Sequence, residues 1–307
     1  MKTLYIVIPC YNEQEVITET TNKLKEKLNS LINNKKISKK SKILYIDDGS
    51  KDNTWKIIKK LNKEDNMITG IRFLRNEGQQ NALLAGLLTS KKYADIVISM
   101  DCDLQDDINA IDEMIDKYNY GFDIVYAVRK DRKTDSLFKR KTAEIFYKFM
   151  NIMGCNIIYN HAEYRLTSKK VLDELENYNE QNIFLRGIFP QLGYKSVIIY
   201  YDRNKRFAGK SKYSLRKMIK FALDGIISLS NKPLIIMFIM SIILFLITII
   251  LLIFNLTKIL YKVILLFMFI LIMMFIFILI NYLKRIYDES TRKNRYIIKE
   301  DLTKTYK

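Results

Sequence analysis

Residues 234–280 hold 41 apolar side chains in 47 positions, with no acidic residue and only Lys258 and Lys262 for charge. A stretch of that density excludes a wholly water-soluble chain. It divides in two. Leu234–Phe254 is interrupted only by Ser241 and Thr248, and as a helix rising 1.5 Å per residue it spans about 31 Å, the thickness of a bilayer core. Val263–Ile280 is apolar without exception. The connection Asn255–Lys262 is too short for a domain, so the pair predicts a helical hairpin with both ends on one side. Basic residues choose the side: Arg216, Lys217, Lys220 and Lys232 precede the first run, and six basic residues lie within 281–300, against two in the loop. That asymmetry places both termini on the cytoplasmic face.

Outside this block the chain is basic, with a formal net charge of +18 overall and a hydrophobic fraction of 49%. These values exclude a disordered protein. The charge fits an anionic partner, whether phosphate-bearing ligand, nucleic acid or membrane surface. It equally fits a coding bias, since Lys outnumbers Arg 38 to 13 among many Asn, Ile, Tyr and Phe residues. The run Lys35, Lys36, Lys39, Lys40 and Lys42 reads as a solvated connection. Cys10, Cys102 and Cys155 lack CxxC spacing and are odd in number, which suits a reducing compartment and neither a disulfide framework nor a zinc site. The apolar run Leu4–Cys10 is only seven residues long and passes straight into Asn12-Glu13, without a plausible signal-peptide cleavage region, and reads as a buried strand.

Further apolar, β-branched or aromatic runs occur at Ile43–Asp47, Ile68–Leu74, Asp95–Met100, Phe122–Val128 and Ser196–Tyr201. Between most of them lie stretches of helical period, including Glu13–Leu31, Thr54–Leu61, Gln79–Leu88 and Ile108–Tyr118. This alternation predicts an α/β fold, a mostly parallel sheet with helices on both faces. Ligands of such sheets bind beyond the carboxyl ends of the strands. Two more segments have amphipathic helical character. In Ser136–Met153, Phe138, Ile145, Phe146, Phe149 and Met153 form one face and Lys139, Arg140, Lys141 and Lys148 ring the other. Ser214–Ser230 repeats the pattern just before the first apolar run. Either fits a helix lying on a membrane surface or an ordinary core-facing helix; adjacency to the apolar run favours the surface for the second.

The polar signals gather at strand ends. Ile98–Asp107 reads as a strand closing in Asp101-Cys-Asp103-Leu-Gln105, and paired carboxylates there suit a hard divalent cation, Mg2+ or Mn2+, that would also take diphosphate oxygens. Ile43–Asp52 closes in Asp47-Asp48-Gly49-Ser50; a carboxylate at that edge can accept from a base N–H or a ribose hydroxyl, or it can shape a turn and cap the next helix. Ile6–Glu13 places Tyr11 and Glu13 where a nucleobase could stack and bond.

Together, IPCYNE at 8–13, DDGSKDNT at 47–54, RNEGQQNALLAGL at 75–87, MDCDLQDD at 100–107 and RFAGKSKYS at 206–214 resemble the family 2 glycosyltransferases of the GT-A fold. Within that family the chain is most similar to polyprenyl-phosphate glycosyltransferases, namely dolichyl-phosphate mannose synthases and, more closely, bactoprenol glucosyltransferases with two C-terminal membrane helices. The resemblance runs almost the whole length, to YLKRIYDESTRKNRYIIKE at 282–300. It implies a Rossmann-like catalytic domain over 1–205, an acceptor loop and interfacial helix over 206–232, a transmembrane hairpin over 233–283 with spans 234–254 and 263–283, and a cytoplasmic tail over 284–307. It also implies that Pro9, Tyr11, Glu13 and Asp48 form the nucleotide pocket, with Asp101 near ribose and diphosphate and Arg75 and Gly78 in a loop closing over the donor. By the same resemblance Asp101, Asp103 and Gln105 hold the metal, while Arg203, Arg206, Ser211 and Lys212 meet the lipid acceptor's phosphate.

One motif departs. Relatives commonly read Gly-Asp-Phe-Arg-Leu where this chain has His161-Ala162-Glu163-Tyr164-Arg165-Leu166. Glu163 takes the acidic position, either as a general base or as a group orienting Arg165 or a sugar hydroxyl, the acceptor phosphate being already anionic. His161, the only histidine, has no second His with which to share a metal and reads as structural or sugar-contacting. The expected activity is inverting transfer of one sugar from a nucleotide-diphosphate donor, UDP-glucose or UDP-N-acetylglucosamine, to undecaprenyl phosphate at the cytoplasmic face of a bacterial inner membrane. The resemblance adds a homo-oligomer, a tetramer. A processive synthase would need a Gln-x-x-Arg-Trp motif, and the only tryptophan is Trp55. A non-catalytic nucleotide-sugar binder would tolerate loss of the carboxylates that are present here, and a transporter would need intramembrane charge. Nucleic acid is not an expected partner, because the diagnostic motifs are acidic.

Overall fold

The computed structural model describes residues 1–130, 137–155, 157–178, 180–204, 215–253, 258–291 and 294–304. They divide into two compact units: Met1–Glu144, Ile157–Tyr213 and Asn294–Lys307 form the first, and Ile145–Asn156 with Ser214–Lys293 the second.

The first unit is built on eight strands: β1 (Leu4–Cys10), β2 (Lys42–Asp47), β3 (Ile68–Phe73), β4 (Ile96–Ser99), β5 (Ile124–Arg129), β6 (His161–Ser168), β7 (Ser196–Tyr201) and β8 (Ile298–Asp301). Their order across the sheet is β7-β5-β6-β4-β1-β2-β3-β8. The central β4-β1-β2-β3 segment is parallel, as is β5 with β7, while β6 runs antiparallel to both its neighbours and β8 antiparallel to β3. All six strands that the apolar runs predict are present. The helices of this unit are α1 (Ile17–Asn33), α2 (Thr54–Glu64), α3 (Gln79–Ser90), α4 (Ala110–Asn119), the start of α5 (Leu137–Ile152), α6 (Lys169–Leu175) and α7 (Leu185–Gln191).

The core explains the segments. Leu4, Ile6 and Ile8 from one face of β1 pack with Leu24, Leu28 and Leu31 of α1, which recur at helical spacing. On the other face, α3 is buried along most of its length. A Cβ on Gly86 would lie 2.4 Å from Val7 Cγ1 and 2.5 Å from Ile46 Cδ1, so only glycine lets α3 approach β1 and β2 this closely.

Two strands escape the apolar-run pattern. β6 carries His161, Glu163, Arg165 and Thr167 on one face, yet all eight of its residues are buried. β8 is short and charged, and belongs to the sheet only through its pairing with β3.

The second unit contains the rest of α5, α8 (Leu215–Leu229), α9 (Lys232–Ile253) and α10 (Lys258–Ser290). α9 and α10 are both long and apolar enough to cross a membrane. Each begins before the apolar run that predicts it, and α10 continues past Ile280 through charged residues to Ser290. Phe238, Phe245, Phe267 and Phe277 are each at least half exposed, an apolar surface that calls for lipid rather than water. Tyr282 Oη donates to Ser230 O at 2.6 Å and Arg285 Nη1 to Ser228 Oγ at 2.5 Å, tying the end of α10 to the end of α8. In α5 the inward residues are Tyr147 and Met150, whereas Ile145, Phe149 and Ile152 are exposed. Ile145 and Phe149, on the apolar face that the sequence marks, are thus turned outward. Phe138 and the basic ring at 139–140 lie outside the residues whose side chains are described.

Candidate active site

The parallel strands β1, β2 and β4 release their chains at one edge of the sheet, where the predicted residues meet. Pro9 is still within β1, opposite Ile46 of β2. Beyond it the chain turns at Asn12, whose φ of 53° is left-handed. The turn is tied to the one after β2: the Asn12 N–H donates to Ser50 Oγ at 2.9 Å, the Glu13 N–H to Thr54 Oγ1 at 2.8 Å, and the Lys51 N–H to Asn12 Oδ1 at 2.9 Å. Tyr11 and Glu13 are thus held beside the end of β2 by backbone donors.

Asp47 and Asp48 divide their work there. Asp47 is fully buried; it accepts from the Ser50 N–H at 3.1 Å and faces Arg72 Nε at 3.1 Å. Asp48 accepts from the backbone N–H of Glu77 at 2.7 Å and of Gly78 at 3.0 Å, and from Asn76 Nδ2 at 2.8 Å. Burial pushes its carboxyl up to about 6 although these donors pull the other way. A Cβ on Gly49 would sit 2.5 Å from the carbonyl carbon of Arg75, so the turns after β2 and β3 touch. Asp48 and the Arg75–Gly78 segment, far apart in the chain, form one edge. The Arg75 side chain is 76% exposed and donates to Glu77 Oε1 at 2.7 Å, outward from that edge.

The end of β4 is acidic. Asp101 accepts from Gln79 Nε2 at 2.8 Å, and burial, then the charges of Asp106 and Asp103, raise its carboxyl to about 7. Asp103 Oδ1 accepts from the Gln105 N–H at 3.1 Å. Gln105 Oε1 accepts from Arg203 Nη2 at 2.6 Å, and its carbonyl from the Asn204 N–H at 2.9 Å. The candidate metal residue and a candidate acceptor residue are therefore in direct contact. Asp106 accepts from Tyr201 Oη at 2.5 Å, with Arg129 Nη2 3.7 Å away. Arg206, Ser211 and Lys212 lie outside the described residues.

β6 brings Glu163 to the same edge, because its register sets Arg165 opposite Ser99 of β4. Glu163 accepts from Arg165 Nη2 at 2.8 Å, Arg186 Nε at 2.9 Å and Gln80 Nε2 at 2.9 Å. Burial alone would raise its carboxyl, but Arg165 and Arg186 outweigh it and hold the group at about 2. Arg165 is fully buried with its guanidinium 3.9 Å over the Phe189 ring. His161 packs edge-on against Tyr126 at 5.0 Å, and burial, then the charge of Arg165, keeps it neutral by lowering its pKa well below the usual value.

Sequence reasoning did not single out Gln79, Gln80 or Arg186. The first two stand inside the RNEGQQNALLAGL motif. Arg186 lies in α7, which carries Pro190 and no strong periodic signal.

Among the described residues no three His, Cys, Asp or Glu side chains converge as a ready-made metal cage. The donor chemistry nevertheless fits a divalent cation. Asp101 and Asp103 are hard oxygen donors, and Asp101, raised first by burial and then by the neighbouring Asp106 and Asp103 charges, sits where a cation would offset both.

The comparisons identify the family. The description Glycosyl transferase family 2 matches residues 5–176. An uncharacterized glycosyltransferase, YkoT of Bacillus subtilis, is 52% identical over 75% of this chain and 68% of its own length. The bactoprenol glucosyl transferase of Shigella phage SfV is 36% identical over 97% of this chain and 99% of its own. The mannosyltransferase PcManGT from Pyrobaculum calidifontis, solved with GDP-Man and Mn2+, superposes with a TM-score of 0.50 at 13% identity, over 73% of this chain and 63% of its own, a likeness of fold. The protein is a glycosyltransferase with a GT-A-like sheet, and it belongs to glycosyl transferase family 2.

Proposed function

We propose that the protein transfers one sugar, with inversion, from a nucleotide-diphosphate donor to a polyprenyl phosphate at the cytoplasmic membrane face. The observation that carries this reading is the Arg203–Gln105 contact at 2.6 Å; a guanidinium there suits an acceptor phosphate beside the carboxylates proposed to face the donor's diphosphate. The likeness to the bactoprenol glucosyl transferase of phage SfV extends over the apolar hairpin as well as the sheet and supports a lipid acceptor. UDP-glucose or UDP-N-acetylglucosamine is the proposed donor.

Tyr11, Glu13 and Asp48 receive the nucleotide, and Asp101 lies toward ribose and diphosphate. Asp101 and Asp103, beside Gln105, would hold a divalent cation, Mg2+ or Mn2+, which would supply neutralisation of the departing diphosphate. An oxygen of the acceptor phosphate attacks the anomeric carbon in line as the bond to the diphosphate oxygen breaks. The attacking oxygen is already anionic, so no proton need be removed, and Glu163 serves to hold Arg165 and Arg186 in place. The hairpin and its basic flanks keep the site within reach of a headgroup that cannot leave the bilayer.

The test incubates membranes containing the protein with undecaprenyl phosphate, Mg2+ or Mn2+ and labelled UDP- and GDP-sugars. Label in acid-labile lipid that is lost in Asp103→Asn supports the reading and names the sugar. Nucleotide-sugar binding with no labelled lipid from any donor overturns it in favour of a binding protein or another acceptor.

A further inference from the structure

β8 does more than cover a sheet edge. Its Glu300 is in register with Arg72 of β3, and Arg72 with Asp47 of β2, so three neighbouring strands carry a negative, a positive and a negative side chain in one row. Arg72 Nε lies 3.1 Å from Asp47 Oδ2 and Arg72 Nη1 3.7 Å from Glu300 Oε1, while Arg72 Nη2 donates to Ser50 O at 3.1 Å. Ser50 in turn receives the Asn12 N–H. The row runs from the tail to both turns that hold Tyr11, Glu13 and Asp48.

Glu300 is itself fixed on its far side. Trp55 Nε1 donates to its Oε1 at 2.8 Å and Lys59 Nζ to its Oε2 at 3.0 Å. The tail around it is anchored by the Leu74 N–H to Ile297 O at 2.9 Å, the Leu302 N–H to Gly70 O at 2.8 Å and the stacking of Tyr296 on Phe73 at 4.8 Å. None of these three contacts involves the carboxylate of Glu300. The carboxylate's distinct contribution is a third anchor for Arg72, beside Asp47 and the Ser50 carbonyl.

We propose that Glu300 is a positioning residue for the donor: through Arg72 it fixes Asp47 and the Ser50 turn, and so presets the nucleotide pocket. This rests on the reading that Tyr11, Glu13 and Asp48 take the nucleotide. Because β8 follows α10 in the chain, donor affinity depends on the segment that emerges from the second apolar helix. Trp55 is the only tryptophan, so its emission reports on the Glu300 contact directly.

The experiment compares full-length wild type, Glu300→Gln, Glu300→Asp and Lys59→Met in nanodiscs, measuring UDP and GDP binding, Trp55 emission during the titration, and donor KM, acceptor KM and kcat. In Glu300→Gln the nucleotide Kd and donor KM rise about fivefold, with kcat and acceptor KM unchanged, the scale of a partly exposed ion pair. Titration with nucleotide shifts Trp55 emission in wild type and not in this variant. Glu300→Asp recovers part of the affinity, and Lys59→Met, which loses a partner of the same carboxylate without touching Arg72, binds as wild type. Wild-type binding in Glu300→Gln overturns the inference alone, as does an equal loss in Lys59→Met or a parallel fall in kcat, either of which makes the role merely structural. Absence of nucleotide binding by the wild type overturns the proposed function along with it.

Discussion

Arg165 donates through Nη2 to Oε2 of Glu163 at 2.8 Å, the two standing two residues apart on one strand with side chains 0% and 2% exposed. Alternate residues of a strand share a face, and Arg186 reaches the other oxygen of the same carboxylate from α7 at 2.9 Å. With its carboxyl held at about 2, Glu163 is a poor proton acceptor and a good anchor for two guanidinium groups.

Glu163→Gln therefore leaves the buried Arg165 and the partly exposed Arg186 short of a counter-charge. Stability falls by about 3 kcal/mol or more, the scale on which a buried pair loses one partner. Transfer drops steeply, and the acid limb of the pH profile of kcat stays where it is in wild type. Thermal unfolding and a pH series on both proteins check this; loss of an ionisation from the profile would restore Glu163 as a base.

The same pair sets acid sensitivity. Glu163 titrates at about 2 folded against an ordinary 4.5, so its stabilisation is fully present above about pH 4.5 and is lost as pH falls from there toward 2. The difference corresponds to roughly 3 kcal/mol. Unfolding midpoints taken from pH 6 down to 3 fall in wild type and are flatter in Glu163→Gln.

Asp48→Ala removes the acceptor of three donors from the segment 76–78. The amides of Glu77 and Gly78 then exchange hydrogen faster, and donor KM rises about tenfold as pocket and tether are lost together. Exchange mass spectrometry reads the first effect, initial rates the second.

Asp103→Asn keeps the size of the side chain and discards its charge. Transfer falls at least about a hundredfold, the loss typical of removing transition-state charge stabilisation, while UDP binding in the presence of EDTA is unchanged. Calorimetry with and without Mn2+ separates the two.

Arg203→Ala withdraws the donor to Gln105 Oε1. Acceptor KM rises about tenfold and the nucleotide Kd measured without acceptor stays at the wild-type value. A rise in nucleotide Kd instead would place Arg203 in the donor site.

The legible part of the fold was the part whose burial is apolar. Leu4–Cys10 and Ile43–Asp47 announce themselves because both faces of a central parallel strand are covered. His161–Ser168 is just as buried, but its burial is polar: Glu163 pairs with Arg165 within the strand and with Arg186 from α7, and no apolar run marks it. Ile298–Asp301 has nothing strand-like apart from its partner, which lies more than two hundred residues earlier in the chain. Motifs located Asp48, Asp101 and Asp103 at strand ends. They could not show that Asp48 grips the Glu77–Gly78 backbone or that Gln105 lies on Arg203, since those contacts join loops that only the sheet brings together.

The antiparallel pairing of β8 with β3 also fixes an order of events on the ribosome. A nascent chain that has produced Asp101, Asp103 and Glu163 still presents β3 as an open edge, and unpaired edges recruit other strands. That edge is closed only after both apolar helices have been translated, so a chain stalled or cleaved between α10 and Ile298 is prone to self-association. Quality control in the cell meets such a fragment as an aggregating species.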